Sequence, residues 1–231
     1  MVKKNLYPDS YFIKRKLNDK KWKGKKYGME GFRIMTKLLV IGSNSDIAKA
    51  AMTRLKDFEI VALDRSRLDV NGENAYNEIQ GFLSTEEPDV ILHCAGIFQF
   101  NEDADYDSTF NVNLKSQWAV AKHYLDTPSA KPVKFISIGS STYKQGRMRF
   151  ILYASSRAAL YNMWQGSSEF APANFKWGLI NPVRVNTKHV AGQPPKEGTL
   201  EADDVAAVIE DMARNMTESY SVDMDYKKEA K

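Results

Sequence analysis

Short apolar runs alternate along the chain with longer segments whose apolar residues recur every three or four positions. A short apolar run closed by a turn is typical of a buried strand, and the longer spacing is typical of a helix. Strands are predicted over residues 37–41, 59–63, 90–94, 133–138, 176–180 and 219–224. Helices are predicted over residues 47–55, 74–83, 107–125, 150–170 and 202–212.

The alternation of strands and helices predicts an α/β fold. Parallel strands need long crossover connections, and a helix in each connection covers one face of the sheet. We therefore expect a doubly wound parallel sheet in three α/β/α layers. It forms a single domain over residues 36–231. Residues 1–35 precede it as a basic N-terminal extension that has no place in the alternation.

The net charge of +4 is concentrated near the N-terminus. Residues 1–30 carry ten Lys and Arg against three Asp and Glu, a net charge of +7, which leaves −3 for residues 31–231. We expect a solvated, flexible tail. Three alternatives stay open: a linker from a lost partner domain, an upstream extension with Met35 as the functional start, or a tether to nucleic acid or a partner. No nucleic-acid motif is present, so no nucleic-acid partner is expected.

Composition narrows the expected location of the protein. No apolar run reaches the ~20 residues that a transmembrane helix needs, so no membrane span is expected. The N-terminus has no apolar stretch of the signal-peptide kind. A single cysteine, Cys94, excludes an internal disulfide and fits a reducing compartment. We expect a cytoplasmic protein, and the 43% of apolar residues is enough for a sizeable core.

The first predicted strand ends in a turn that suits a phosphate group. Free N–H groups at the start of the following helix bind pyrophosphate in Rossmann-type dinucleotide folds. The residues of this turn are Gly42, Ser43, Asn44, Ser45, Asp46 and Ile47. One glycine stands where the familiar fingerprint has three, so the turn alone is a weak signal. It predicts a dinucleotide site only together with the features that follow.

A carboxylate about 20 residues further on strengthens this prediction. Asp64 ends the second predicted strand, where a carboxylate accepts hydrogen bonds from the adenosine ribose. Arg65 follows at once and can instead hold a 2′-phosphate. Asp69 and Val70 fall where a side chain and a backbone amide can hold the adenine ring. The predicted cofactor is NAD or NADP: Asp64 favours NAD, and Arg65 leaves NADP open.

A tyrosine and an arginine one helical turn apart carry the candidate chemistry. Tyr153 and Arg157 lie on one face of a predicted helix, and Ser140 lies 13 residues before Tyr153. A nearby cation stabilises a phenolate and so makes the phenol proton available. The Ser140 hydroxyl can hold a carbonyl oxygen against the phenol. These groups suit the interconversion of a carbonyl and an alcohol.

Together these residues resemble the short-chain dehydrogenase/reductase superfamily over residues 36–225. The run from Gly42 to Ala48 resembles its glycine-rich turn, and the spacing of Ser140 and Tyr153 is that of its catalytic pair. His93-Cys94-Ala95-Gly96 resembles the Asn-Asn-Ala-Gly segment after the family's fourth strand. Residues 181–187 resemble its Pro-Gly segment, residues 202–206 its C-terminal helix, and residues 61–66 also resemble dTDP-4-dehydrorhamnose reductases.

The resemblance assigns further roles. It implies that Asn113 orients a proton-relay water and that Thr187 binds the nicotinamide carboxamide. It also implies that Ala95, Gly96, Pro182, Val185, Tyr153 and Arg157 contact the cofactor. The sequence departs from the family at Arg157, where the family has Lys, and a guanidinium cannot lose a proton in a relay. Val183 and Ala48 replace family glycines.

The predicted function is an NAD(P)-dependent oxidoreductase that interconverts a ketone or aldehyde and an alcohol, with Tyr153 as general acid and base. The alternative is a catalytically weak or inactive NAD(P)-binding scaffold or sensor. Lys144, Arg147 and Arg149 lie in a loop that is expected to border the site. Together with Lys188 they either attract an anionic or sugar-type substrate or belong to a solvated loop.

The remaining expectations concern metals and assembly. No His, Cys and Asp spacing suggests a metal, and His123 and His189 are expected at surface or helix positions. A short lid is expected after Thr187. The resemblance implies a homo-oligomer, a dimer or tetramer, that pairs helices 107–125 and 153–170. Trp118, Tyr161 and Trp164 then lie either in such an interface or in the core.

Overall fold

The computed structural model describes residues 35–190 and 196–226. Its main element is a six-stranded parallel sheet in the order β2-β1-β3-β4-β5-β8. The strands are β1 (Lys37–Ile41), β2 (Glu59–Leu63), β3 (Val90–His93), β4 (Val133–Ile138), β5 (Phe175–Pro182) and β8 (Tyr220–Met224). The predicted parallel, doubly wound sheet is confirmed, with each strand within two residues of its predicted bounds.

Helices lie between the strands and cover both faces of the sheet. They are α1 (Asp46–Arg54), α2 (Ala75–Glu86), α3 (Tyr106–Phe110), α4 (Ser116–Asp126), α5 (Ile151–Phe170) and α6 (Ala202–Asn215). Helices α1 and α6 pack on one face, and α2, α4 and α5 pack on the other. This arrangement gives the three layers that the sequence predicts.

Strand β1 shows why the sequence chooses this fold. Successive side chains of a strand point to opposite faces, so a run of four apolar residues requires cover on both sides. Leu38 and Val40 enter the core formed with α1 and α6. Leu39 and Ile41 enter the core formed with α2, α4 and α5. All four side chains are essentially inaccessible to solvent, so β1 is buried on both faces of the sheet.

The helix predicted over residues 107–125 is interrupted. A π-helical segment, Asn111–Lys115, joins α3 to α4. A wide π turn inside an α-helix often accompanies a functional residue, and this one contains Asn113. The break is a local correction to the prediction of one continuous helix.

Smaller elements lie beside the carboxyl ends of the strands. Strands β6 (Val185–Asn186) and β7 (Leu200–Glu201) form a separate two-stranded sheet. Turns of 3₁₀ helix occur at Asn101–Asp103, Ser141–Lys144 and Lys188–Val190. No helix of the described residues is long and apolar enough to span a bilayer. Apart from Met35, the predicted N-terminal extension lies outside the described residues.

Candidate active site

A cleft of about 520 Å³ opens at the carboxyl ends of the central strands. Between β1 and β3 the winding of the sheet reverses, because β2 lies on one side of β1 and the later strands lie on the other. Ligands of open α/β sheets bind in the crevice at such a switch point. Of the residues predicted for the site, the cleft wall contains Ser45, Asp46, Ile47, Ala95, Gly96, Ser140, Tyr153, Arg157, Pro182, Val185 and Thr187.

The turn after β1 has the geometry of a phosphate cradle. Gly42 has a φ of +79°, which disfavours side chains, and a Cβ there would collide with the backbone of Ala95. The Ser45 hydroxyl accepts from the N–H of Ala48 at 3.1 Å and caps α1. The start of α1 therefore faces the cleft, where the helix dipole favours an anion.

The carboxylate of Asp46 ties this turn to the segment after β6. It accepts from the backbone N–H of Lys188 at 2.8 Å, and the Lys188 ammonium lies 3.7 Å from its second oxygen. Lys188 therefore compensates a negative charge beside the phosphate cradle. Of the two, only Asp46 lines the cleft.

The predicted adenosine end lies beyond the cleft wall. Asp64 follows β2 and accepts from the N–H and hydroxyl of Ser66 at 3.0 and 2.6 Å. These hydrogen bonds hold the pKa of Asp64 below its usual value. The amide of Asn44 donates to its other oxygen at 3.3 Å. Asp64 is therefore an ionised, oriented acceptor at the edge of the sheet.

The residues around Asp64 form a polar loop. Arg65 pairs with Asp69 at 3.4 Å, and the Asp69 carboxylate also accepts from the N–H of Asn71 at 3.1 Å. Val70 is half-buried against the core. Like Ser43 and Asn44, these residues lie outside the cleft wall.

Tyr153 lies in an aromatic wall near the start of α5. Its ring meets Phe98 edge-on, with centroids 5.0 Å apart, and Phe150 at 6.1 Å. Phe100 packs against Phe98 at 5.2 Å. The sequence prediction did not include these phenylalanines, although Phe98 and Phe100 lie within four residues after Gly96. They leave the ring of Tyr153 little freedom to move.

Arg157 is a buried cation directly behind Tyr153. Its side chain belongs to a residue only 5% exposed, and its guanidinium carbon lies 5.0 Å from the centroid of the Tyr153 ring. Its two terminal nitrogens donate to the Ile138 carbonyl at 3.2 Å and to the Asn113 side-chain oxygen at 3.1 Å. Among the described residues no carboxylate lies within 4.0 Å of this guanidinium.

Gly96 gives the guanidinium its space. A Cβ on Gly96 would lie 2.9 Å from a terminal nitrogen of Arg157. Real Cβ atoms do not approach other atoms so closely, so a side chain here would displace the arginine. The arginine side chain on α5 therefore requires a glycine in the segment after β3.

Asn113 joins the π-helical segment to this cation. It is fully buried, accepts from the Ile97 N–H at 2.9 Å and donates to the Ile97 carbonyl at 3.0 Å. It also donates to the Ser156 hydroxyl at 3.1 Å. Its oxygen therefore orients Arg157 from a position outside the cleft wall.

Ser140 is positioned to donate to a substrate oxygen. It follows β4 and is 8% exposed in the cleft wall. Its oxygen accepts from the N–H of Thr142 at 3.3 Å and from the Thr142 hydroxyl at 3.0 Å. Because it is the acceptor in both contacts, its own proton can point into the cleft.

His93 and Cys94, at the end of β3, are unsuited to acid–base or nucleophilic chemistry near neutral pH. His93 is fully buried, and burial together with the charge of Arg157 lowers its pKa to about 3. The Ser116 hydroxyl donates to the Val112 carbonyl, so its 2.9 Å contact with His93 is an N–H donation from the neutral ring. Burial raises the pKa of the Cys94 thiol to about 12, which makes it a poor nucleophile.

The basic residues near the site separate into two groups. Arg147 and Arg149 line the cleft as predicted. Lys144 does not, and instead pairs with Asp223 at 2.8 Å. The loop that carries all three residues therefore borders the cleft, whereas the Lys144 side chain is held outside it by Asp223.

The sequence prediction missed part of the opposite wall. Arg184, Lys196 and Tyr226 also line the cleft, and the Lys196 ammonium lies 3.7 Å from the centroid of the Tyr226 ring. They come from three separate loops, and no sequence motif joins them. His123 contacts the side chain of Gln80 at 2.8 Å, away from the cleft, and the side chain of His189 lies outside the described part of the chain.

The residues present fit a dinucleotide. The Gly42 cradle, the capped start of α1 and the oriented carboxylate of Asp64 lie along one edge of the sheet, as the phosphates and ribose of NAD(P) require. The resemblance places Thr187 and Pro182 at the nicotinamide end, and both line the cleft. Within the described residues, no group of three or more His, Cys, Asp and Glu side chains is arranged to hold a metal ion.

Comparison with known proteins assigns the family. The short chain dehydrogenase family model matches residues 26–198. A Haemophilus influenzae protein, the bifunctional ribulose 5-phosphate reductase/CDP-ribitol pyrophosphorylase Bcs1, is 30% identical over 183 residues, which cover 71% of this chain. The chain spans 37% of the length of that relative.

Solved structures share the fold. A short chain dehydrogenase from Burkholderia cenocepacia in complex with NADP matches 84% of this chain and 98% of its own, with a TM-score of 0.69 and 20% identity. A 4-hydroxyisoleucine dehydrogenase complexed with NADH matches 82% and 97%, with a TM-score of 0.68 and 19% identity. The chain therefore belongs to the short-chain dehydrogenase family of NAD(P)-dependent oxidoreductases.

Proposed function

We propose that the protein interconverts a ketone or aldehyde and an alcohol, with Tyr153 as general acid in the reductive direction, and that its substrate is a phosphorylated sugar. The observation that carries this proposal is the Arg157 guanidinium. It is buried, it lies over the Tyr153 ring, and no carboxylate of the described residues neutralises it within 4.0 Å. A buried cation without an anion is costly unless the site uses it to stabilise negative charge.

The chemistry follows from three side chains. A bound nicotinamide would supply the hydride in reduction and accept it in oxidation. Ser140 donates a hydrogen bond to the substrate oxygen and holds it against Tyr153. Tyr153 gives its proton to that oxygen, and the positive charge of Arg157 stabilises the phenolate that remains. Arg157 keeps its own protons throughout, so it acts as a fixed charge that Asn113 and the Ile138 carbonyl orient.

The charge of the cleft supports an anionic substrate. Among the described residues, its wall contains five cationic side chains, Arg147, Arg149, Arg157, Arg184 and Lys196, and one carboxylate, that of Asp46. The Bcs1 relative is named as a ribulose 5-phosphate reductase, and its substrate joins a ketone to a phosphate. The exposed side chains of Arg147 and Arg149 in the cleft wall suit the phosphate of a short phosphorylated ketose.

The preferred cofactor belongs to the same proposal. Asp64 offers an ionised acceptor to a ribose diol, and Arg65 beside it is 80% exposed in its side chain. We expect NADH to support turnover, with a KM no more than about a hundredfold above that of NADPH.

The test is the oxidation of NADPH and NADH by the full chain with a panel of ketoses and ketose phosphates that includes ribulose 5-phosphate. We expect turnover with ketose phosphates, and a loss of about 10²- to 10⁴-fold in kcat for Tyr153→Phe. Tight binding of the dinucleotide without turnover on any carbonyl would instead identify a scaffold or sensor. Tyr143→Phe is the matched control, because that phenol bonds Asp223 and lies outside the cleft wall.

A further inference from the structure

One wall of the cleft is a short basic loop between β4 and α5. Arg147 and Arg149 are both exposed, and both line the cleft beside Phe150 and Tyr153. The two side chains are therefore open to solvent and line the same cleft as the candidate catalytic phenol. Neither has a part in the proton transfer.

These two arginines have no anionic partner in the part of the chain that the structure describes. No carboxylate there lies within 4.0 Å of either guanidinium. Lys144 in the same loop shows the contrast, because it pairs with Asp223 at 2.8 Å. Arg65, which follows the edge strand β2, pairs with Asp69. Arg147 and Arg149 therefore present their charge to the cleft.

The loop that carries the arginines is held in place by Asn101. The Asn101 backbone N–H donates to the Arg149 carbonyl at 3.0 Å, and its side-chain amide donates to the Met148 carbonyl at 2.6 Å. Its side-chain oxygen accepts from the N–H of Ile151 at 2.7 Å. The Arg149 guanidinium also lies 5.0 Å from the centroid of the Phe100 ring. The backbone of this loop and the guanidinium of Arg149 are therefore positioned before a ligand binds.

Their place in the fold separates them from the adenosine end of the cofactor. Strand β4, which leads to this loop, lies three positions from β2 in the sheet. At the usual spacing of strands this is roughly 14 Å from the end of β2, where Asp64 and Arg65 lie. An anion at Arg147 and Arg149 therefore lies on the same side of the cleft as Ser140, which also follows β4, and away from a cofactor 2′-phosphate. Arg184 and Lys196 instead follow β5, near Thr187 and the expected nicotinamide.

We propose that Arg147 and Arg149 form a phosphate subsite that binds the phosphoryl group of the substrate and so sets its register against Tyr153. This inference rests on the proposed reductase function and names the residues behind its substrate class. A guanidinium forms two parallel, charge-assisted hydrogen bonds with phosphate oxygens. Phe98 and Phe150, which line the cleft, then cover the carbon chain of a short sugar.

The experiment compares the wild-type full chain with the double variant Arg147→Gln/Arg149→Gln and the control Lys144→Gln. Calorimetry measures the Kd of a ketopentose 5-phosphate and of the free ketopentose in the presence of NADP⁺. Steady-state rates with NADPH and NADH give kcat/KM for both sugars. We expect the double variant to weaken binding of the phosphate ester about 100-fold, while binding of the free sugar stays within about threefold. Lys144→Gln should match the wild type.

Each outcome decides the question. Equal binding of the ester by the wild type and the double variant, or no binding of the ester by the wild type, overturns the subsite. A selective loss of NADPH over NADH in the double variant overturns it too, because the arginines then hold a cofactor phosphate. Arginine-dependent binding of the ester without turnover supports the subsite and rejects the reductase function. Turnover without preference for the ester does the reverse.

Discussion

The arginines of this protein are used in two different ways. On the surface between α1 and α6, Arg54 pairs with Asp203 at 2.6 Å and Arg214 pairs with Asp57 at 2.8 Å. In the cleft, Arg147, Arg149 and Arg157 have no carboxylate within 4.0 Å in the described residues. The surface pairs join two helices on one face of the sheet, whereas Arg147, Arg149 and Arg157 leave their charge for a ligand or a reaction.

Arg157 shows the difference most clearly, since it is the most buried of the cleft arginines. A structural arginine at that depth would be expected to have a carboxylate partner. Its neighbours are instead an amide oxygen, a carbonyl oxygen and an aromatic ring. The protein therefore keeps a positive field at Tyr153 at some cost in stability, as functional sites often do.

The largest predicted effect comes from removal of that charge. Arg157→Met should lower kcat by about 10²- to 10⁴-fold, because the Tyr153 phenolate loses its cation. Thermal unfolding should shift little, since an apolar side chain of similar length avoids the cost of burying an unpaired charge. The paired measurement is kcat and Tm on one preparation. A large fall in Tm with kcat retained would place Arg157 among the structural arginines.

A second prediction concerns His93, which lies near the unpaired charge. Its folded pKa of about 3 is below the ordinary value of 6.5, because of burial and the charge of Arg157. The unfolded chain therefore binds a proton that the folded chain excludes, so this contribution to stability is present above pH 6.5 and is lost as pH falls toward 3.

Between pH 7 and pH 5 the wild type should lose about 2 kcal/mol more of its unfolding free energy than His93→Asn, from 1.5 pH units at about 1.4 kcal/mol per unit. Urea unfolding of both proteins at the two pH values measures this difference. Identical losses would show that His93 takes up its proton without a penalty in the folded state.

The smallest predicted effect is at the surface. Arg214→Met removes the pairs with Asp57 and Glu210, and exposed or half-exposed pairs contribute little. Tm should fall by about 2–4 °C, and kcat and KM should keep their wild-type values. A change in KM for the substrate would contradict the claim that the surface arginines act only on stability.

Much of the fold could be predicted from local sequence. The inner strands β1, β3, β4 and β5 are largely apolar runs, and burial on both faces makes such runs conspicuous. The π-helical segment Asn111–Lys115 could not be predicted in this way. In this segment Asn113 forms hydrogen bonds with the backbone of Ile97, a contact that depends on the tertiary structure. The local sequence alone predicts a regular α-helix. The two-residue strands β6 and β7 are too short for any period.

Part of the candidate site could likewise be predicted from local sequence, and part depends on contacts between distant residues. Gly42, Ser140, Tyr153 and Arg157 lie at fixed spacings in the sequence, and the structure brings them to one edge of the sheet. Their catalytic roles remain predictions. The paired state of Lys144 depends on Asp223, 79 positions away, so sequence order could not separate it from Arg147 and Arg149. Space for Arg157 likewise depends on Gly96, in a different loop.

The central claim is that the site is built around a guanidinium at position 157, and Arg157→Lys tests it most directly. An ammonium keeps the charge but cannot reach the Asn113 oxygen and the Ile138 carbonyl with a planar fork. With a saturating ketose phosphate and NADPH, we predict that kcat falls at least about tenfold while Tm stays within a few degrees of the wild type. A kcat equal to or above that of the wild type would contradict the claim and show that lysine at position 157 supports the reaction at least as well as arginine.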